Sequence, residues 1–208
     1  MRSLYAVALR VTLLTLVVTG LLYPLAVTGL ALVLFPERAQ GSWLTDERGQ
    51  AVGSELLAQG FSSPSYFQPR PSAAGTAGYD ATASGGSNLG PTSKKLRDGA
   101  AETLKKLEAD NPAAARPVPA DLVTASASGL DPHLSAEAAQ WQVSRVAAAR
   151  AVSEERVRAV VAAHTEGRTF GFLGEPRVNV LVLNLALDRQ FGRPSLPPPA
   201  PQAAPAAH

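Results

Sequence analysis

Apolar and polar residues are arranged along this chain in three distinct patterns. From Val11 to Leu34 the sequence VTLLTLVVTGLLYPLAVTGLALVL runs 24 residues without a charge. At about 1.5 Å per residue a helix of that length reaches roughly 36 Å, enough to cross a hydrocarbon core of about 30 Å with some tilt. A helix on the surface of a soluble domain keeps a polar face, and this run has none. It therefore predicts a transmembrane helix over residues 11–35. The second pattern has a helical period. Leu96, Ala100, Leu104 and Leu107 share one face of a helix predicted from Ser93 to Asp110, stopped by Asn111-Pro112. Ser135 can cap a helix reaching Ala149. Ser153 can cap another, with Val157, Val160, Val161 and His164 on one face and Gly167 at its end. The third pattern is a short β-branched run, Val178 to Leu183 (VNVLVL), read as a strand after Pro176. Shorter strands are expected within Trp43–Val52 and at Asp121–Thr124, and a helical turn at Gly53–Leu57.

Between these elements lies Phe61 to Thr92, rich in Ser, Gly, Pro and Ala. A flexible linker has that composition, but linkers rarely keep aromatics, and this stretch carries Phe61, Tyr66, Phe67 and Tyr79. It reads as an ordered, irregular surface, the kind of long loop that carries function. Residues 193–208 (RPSLPPPAPQAAPAAH) hold little that could build a core, and a disordered or extended tail is expected there.

Within the apolar run, Pro24 costs a helix interior about 3 kcal/mol in water and is tolerated in lipid when neighbours satisfy the freed carbonyl. A kink is expected near Leu21–Pro24. Gly20 and Gly29, with Thr19 and Thr28, offer small surfaces for packing against partner helices. A cleaved signal peptide would have a shorter apolar region, about 7–15 residues, ending at a small-residue site. The run therefore reads as an uncleaved anchor. Arg2 and Arg10 precede it, while Glu37 and Arg38 offset each other behind it. The positive-inside rule then puts residues 1–10 in the cytoplasm and residues 36–192 outside. The expected fold is a single N-terminal transmembrane α-helix plus a mixed α/β extracytoplasmic domain.

Composition narrows the chemistry. The chain has 208 residues, no cysteine and a net charge of +2. Disulfides and thiolate metal sites are excluded, and there is no basic stripe for nucleic acid. Gly85 to Thr92 (GGSNLGPT) has the glycine spacing of a P-loop, but Pro91 stands where the phosphate-binding lysine belongs. Thr82 to Gly86 resembles a nucleophile elbow around Ser84 without its first glycine, and no histidine sits in a strand-to-helix context to serve as base. Asp131-Pro132-His133 supplies two potential metal ligands where three or four are needed. No catalytic or metal constellation emerges. A binding or assembly role is favoured, with a membrane-tethered periplasmic hydrolase using Ser84 as the alternative.

Five segments in order then resemble one family. They are TGLLYPLAVTGLA in the helix, GSELLAQGFSSPSYFQPRPSA at 53–73, YDATASGGSNLGPTS at 79–93, DLVTASASGLDPHLSAEAAQWQVSRVAAAR at 121–150 and GEPRVNVLVLNLALD at 174–188. Together they resemble the KdpC subunit of the bacterial Kdp potassium-transporting ATPase. Pro69 and Ala127 stand where that family usually has glycine.

The resemblance implies a subunit of a P-type ATPase complex in the inner membrane. Its partners would be a channel-like potassium-binding subunit, the P-type ATPase subunit, a small single-span subunit and membrane lipid. It also implies a catalytic chaperone that raises the ATP affinity of the ATPase subunit, with ATP as an associated ligand and potassium as the transported ion. An outer domain cannot touch cytoplasmic ATP, and is better placed over the potassium entrance. The surface expected to face partner and potassium comprises Tyr66, Phe67, Arg70, Tyr79, Asp80, Ser84, Asn88, Ser128, Asp131 and His133. Gly20, Pro24 and Gly29 are expected to pack within the membrane.

Overall fold

A computed structural model describes residues 2–114 and 117–194, the side chain of Arg2 aside. The chain divides into two units, Met1–Trp43 and Leu44–His208.

The first unit is helical from Arg2 to Leu34: α1 (Arg2–Val17), a π-helical turn (Val18–Leu22) and α2 (Tyr23–Leu34). Its stretch Ser3–Leu34, 32 residues, is long and apolar enough to cross a membrane. The helix starts nine residues before the expected boundary at Val11. Once a helix is nucleated, each added residue costs little, and MRSLYAVALR contains no breaker. The irregularity expected at Leu21–Pro24 takes the form of the π turn, in which the Tyr23 N–H donates to the Val18 carbonyl. A proline ring collides with the carbonyl four residues back and has no N–H to offer it. Widening the preceding turn by one residue accommodates both problems. Thr15 Oγ1 and Thr19 Oγ1 donate to the carbonyls of Val11 and Thr15 at 2.8 and 2.7 Å, hiding their hydroxyls from an apolar surrounding. The side chains along this helix are exposed. After the Phe35 N–H closes the last turn on the Ala31 carbonyl, Pro36 opens a short helix, α3 (Pro36–Ala39).

A hairpin follows, β1 (Trp43–Thr45), whose first residue closes the first unit, and β2 (Ala51–Ser54). Asp46 shapes its turn, Oδ1 accepting from the N–H groups of Arg48 and Gln50. Gly53 and Ser54 finish β2, so the helical turn expected at Gly53–Leu57 is replaced by strand followed by a tight turn. Helix α4 (Lys94–Asp110) fills its predicted span, with Ser93 Oγ accepting from Leu96 N. Asp121–Thr124 is not a strand. Ala120–Leu122 forms a 3₁₀ turn, and Asp121 Oδ2 accepts from Ser135 N at 2.9 Å.

Strands β3 (His133–Ser135), β4 (Thr165–Glu166) and β5 (Arg177–Asn179) form an antiparallel sheet in the order β3-β5-β4, with Leu134 opposite Val178. Helices α5 (Ala136–Arg150) and α7 (Val180–Phe191) pack on it, and α6 (Glu154–Ala163) packs against both of them. The core joins Leu134, Val143, Val146, Val157, Val161, Val178, Leu183 and Leu187, all buried. Full burial of each such side chain contributes about 1.5–3 kcal/mol. Ser135 Oγ caps α5 by accepting from Ala138 N. Ser153 occupies the start of α6 without a capping bond from its side chain. His164, beyond the last turn of α6, is half-buried with Nδ1 2.9 Å from the Val160 carbonyl. That helix therefore stops before Gly167.

The main correction is at Val178–Leu183. The strand ends at Asn179, whose Oδ1 accepts from Val182 N, and α7 begins at Val180. A helix buried on most sides loses its apolar period, so its opening residues look like a strand.

Candidate functional site

Residues 61–92 form no regular element, yet buried side chains hold them in place. Asn184 of α7 accepts from Phe67 N (2.8 Å) and donates back to Phe67 O (2.9 Å). Gln142 of α5 does the same for Gln68, at 2.9 and 3.0 Å. Each amide stands in for the neighbouring strand that an extended backbone would otherwise need. Arg145 braces the same segment through the carbonyls of Pro64 and Tyr66 and through Gln142 Oε1. Burial pushes Arg145 down to about 10, so it keeps its charge at neutral pH. Phe67 is consequently a core residue, fully buried, and is not part of a partner-facing surface. An aromatic ring next to an amide-clasped backbone is best used by the core.

Tyr66 is also turned inward. Its hydroxyl donates to Asp188 Oδ2 at 2.9 Å, and burial, with that bond second, raises its pKa. Arg150 lies across its ring at 5.0 Å and pairs with Asp188 at 2.8 Å, the two charged side chains being 2% and 11% exposed. Arg150 also donates to the carbonyls of Ser65 and Gly192. Arg193 binds Asp46 at 3.0 Å, tying the end of the described chain to the first hairpin.

Apart from Asn88, the remaining expected residues fall in residues 70–86 and 126–133, two loops that meet. Ser72 Oγ donates to Gly129 O (2.6 Å) and accepts from Tyr79 N (2.8 Å). Tyr79 OH donates to Arg70 O, and burial raises its pKa. Arg70 Nη1 lies 3.3 Å from Asp131 Oδ2, while Arg70 Nε is buried without a partner. Asp131 Oδ1 accepts from His133 N and faces His133 Nδ1 at 3.4 Å. The His133 side chain leads in holding the Asp131 carboxyl below its ordinary range, with Arg70 assisting against partial burial. Ser128 O accepts both Ser84 Oγ (3.1 Å) and Gly85 N (2.8 Å). Gly129 sits at φ +69°, and a Cβ there would lie 2.7 Å from Ala74 N and Gly85 O. The two loops are thus interlocked through backbone that tolerates only glycine.

Asp80 is exposed. Its Oδ1 accepts from the side chain and N–H of Thr82, and these bonds lower its pKa. Asn88 is exposed at φ +51°. Chemically, this surface offers carbonyls, hydroxyls and one carboxylate, Asp80, with no cation paired to it among the described residues; the Asp131 charge is already matched by Arg70. Ser84 gives its proton to a carbonyl, and neither described histidine accepts it. Among the described residues no group of three His, Asp or Glu side chains could hold a metal. In the 85–92 loop the Gly85 N–H is engaged by Ser128 O, and Pro91 has none to give. In the first unit a Cβ on Gly29 would meet nothing within 4 Å and one on Gly20 only Leu16. Gly20 lies within the widened turn ahead of Pro24, and Gly29 about two turns beyond it. Asn184, Gln142, Arg145, Arg150 and Asp188 escaped the sequence reading. A lone asparagine inside VLVLNLAL was the available signal for the first.

Three comparisons bear on what carries this arrangement. The family model for KdpC, the c chain of a K+-transporting ATPase, matches residues 5–189. A Potassium-transporting ATPase KdpC subunit from Myxococcus xanthus is 64% identical over 205 residues, 99% of this chain and 94% of that protein. A protein of the same description from Rhodospirillum rubrum is 57% identical over 173 residues, 83% of this chain and 89% of its own length.

Proposed function

This chain belongs to the KdpC family, the c chain of K+-transporting ATPases, and we propose that it works as a membrane-anchored accessory subunit that assembles and regulates such a pump without chemistry of its own. The supporting observation is the extent of the likeness. The family match runs from the apolar helix through α7, so anchor and folded unit are retained together. The proposed partners are a channel-like potassium-binding subunit, the P-type ATPase subunit, a small single-span subunit and the surrounding lipid. Their helices would pack on Gly20, Gly29 and the wide turn ahead of Pro24.

Arg2 and Arg10 favour a cytoplasmic N-terminus, with the folded unit outside. There the interlocked loops would lie over the potassium entrance. Asp80 would supply negative charge, and the hydroxyls and carbonyls around Ser84 and Ser128 would supply polar lining. We place no nucleotide on this chain. A raised ATP affinity of the ATPase subunit would be a coupling between two states of the complex, carried through the membrane helix. No observation favours the hydrolase alternative.

The test is mild-detergent purification of the tagged full chain from potassium-starved cells, with mass spectrometry and a potassium-stimulated ATPase assay. Recovery of a P-type ATPase subunit and a channel-like subunit with activity supports the reading. A chain recovered alone, under conditions that keep other membrane complexes intact, overturns it. Asp80→Asn in the assembled pump should weaken the apparent potassium affinity; an unchanged affinity removes the entrance role.

A further inference from the structure

Residues 166–177 are all exposed, twelve in succession. Thr169 and Leu173 close a narrow hairpin through two backbone bonds, at 2.9 and 3.0 Å, around the tip Phe170-Gly171-Phe172. Phe170 is 83% exposed, Phe172 69% and Leu173 51%. Phe170 also sits at φ +55°, a backbone region disfavoured for bulky side chains. Such strain persists where function selects it, and the fold gains no burial in return. The surrounding charges cancel in pairs, Arg168 with Glu175 at 2.7 Å and Arg177 with Glu166 at 3.0 Å.

We propose that this tip is a docking anchor, with Phe170, Phe172 and Leu173 seated in an apolar cleft on the extracytoplasmic face of a large membrane subunit of the pump. The inference rests on the accessory-subunit reading above. Charge and side-chain type select a protein cleft over a lipid surface. Self-paired ions leave nothing to draw anionic headgroups. Phenylalanine lacks the polar handle that suits tryptophan and tyrosine to the headgroup zone. A closed hairpin presents one shape at little further ordering cost, which matches a fixed pocket. Apolar residues ringed by paired charges also have the layout of an interface hot spot with a polar rim.

The chain has no cysteine, so Phe172→Cys introduces a unique thiol. Its reaction with a membrane-impermeant maleimide should be at least about tenfold slower in the purified pump than in the free full chain in detergent. A photo-crosslinker on that thiol should join a large subunit identified by mass spectrometry. Equal reactivity in the two states, crosslinking to a second copy of this chain, or quenching of a fluorophore there by brominated lipid would each overturn the proposal. Phe170→Ser/Phe172→Ser, with its thermal midpoint unchanged, should leave immobilised pump at least about tenfold faster than wild type, as loss of a hot spot does. An unchanged rate counts against the anchor. Recovery of the pump by the wild-type chain decides the underlying reading independently.

Discussion

Replacing Asn184 by leucine isolates the amide clasp. Leucine branches at the same atom as asparagine but is larger, so no cavity is left and overpacking adds to the polar loss. Asn184 is buried and serves both backbone groups of Phe67, itself fully buried. The change leaves one N–H and one carbonyl without a partner and out of reach of water. Each such group costs about 1–3 kcal/mol, so the sum is about 2–6 kcal/mol. For a folded unit of this size each 1 kcal/mol moves Tm by roughly 2–4 °C; at about 3 kcal/mol the expected fall is roughly 6–12 °C. The assay is thermal and urea unfolding of the detergent-solubilised chain, followed by fluorescence of Trp141 in the core. Gln142→Leu should behave similarly, with a further penalty for Arg145, which loses its Gln142 Oε1 partner. An Asn184→Leu variant within about 0.5 kcal/mol of wild type, with an unchanged urea slope, would refute the idea that side-chain amides replace a strand here.

Arg150→Met should destabilise the unit by about 3 kcal/mol in urea. That is the lower end of the usual cost of breaking a buried pair, because Tyr66 and Arg193 remain beside Asp188. Gly129→Ala should cost roughly 2–5 kcal/mol in a thermal scan, from left-handed strain plus overpacking against Ala74 N and Gly85 O. Asp131 has a folded pKa below its ordinary 3.8, so its contribution is present above that pH and lost as pH falls through the lowered value. Asp131→Asn should therefore flatten the acid side of the stability profile below about pH 4 and leave the slope near neutrality unchanged.

The long apolar helix and α4 to α6 were legible because their signals are local: an uncharged run, an apolar stripe, a serine at the start of a helix. Asn111 ended α4 as expected, and its side chain also donates to Trp141 O and accepts from Ser144, a tertiary role no spacing reveals. Helix α7 was misread because burial on nearly all sides erased its period. The candidate surface was half legible. Arg70, Tyr79, Asp131 and His133 do come together, since turn-forming residues announce irregular backbone, while Ser72, which links their loops, was not singled out. Tyr66 and Phe67 were assigned outward because a Ser/Pro-rich context says nothing about which long-range partner awaits it. Asn184 and Asp188, over a hundred residues downstream, decide that question.

That separation also governs when the molecule can fold. Phe67 and Asn184 lie 117 positions apart, Tyr66 and Asp188 122, and Glu55 and Asn179 124. At about 5–20 residues per second, synthesis of the intervening chain takes roughly 6–25 s. Throughout that interval the backbone groups of Phe67 lack their partner, and the core lacks the helix on which it closes. Such long loop closures delay consolidation further. The growing chain therefore stays open until α7 emerges. The placement of the clasp on α7 thus holds back the locking of the unit until that helix has been made.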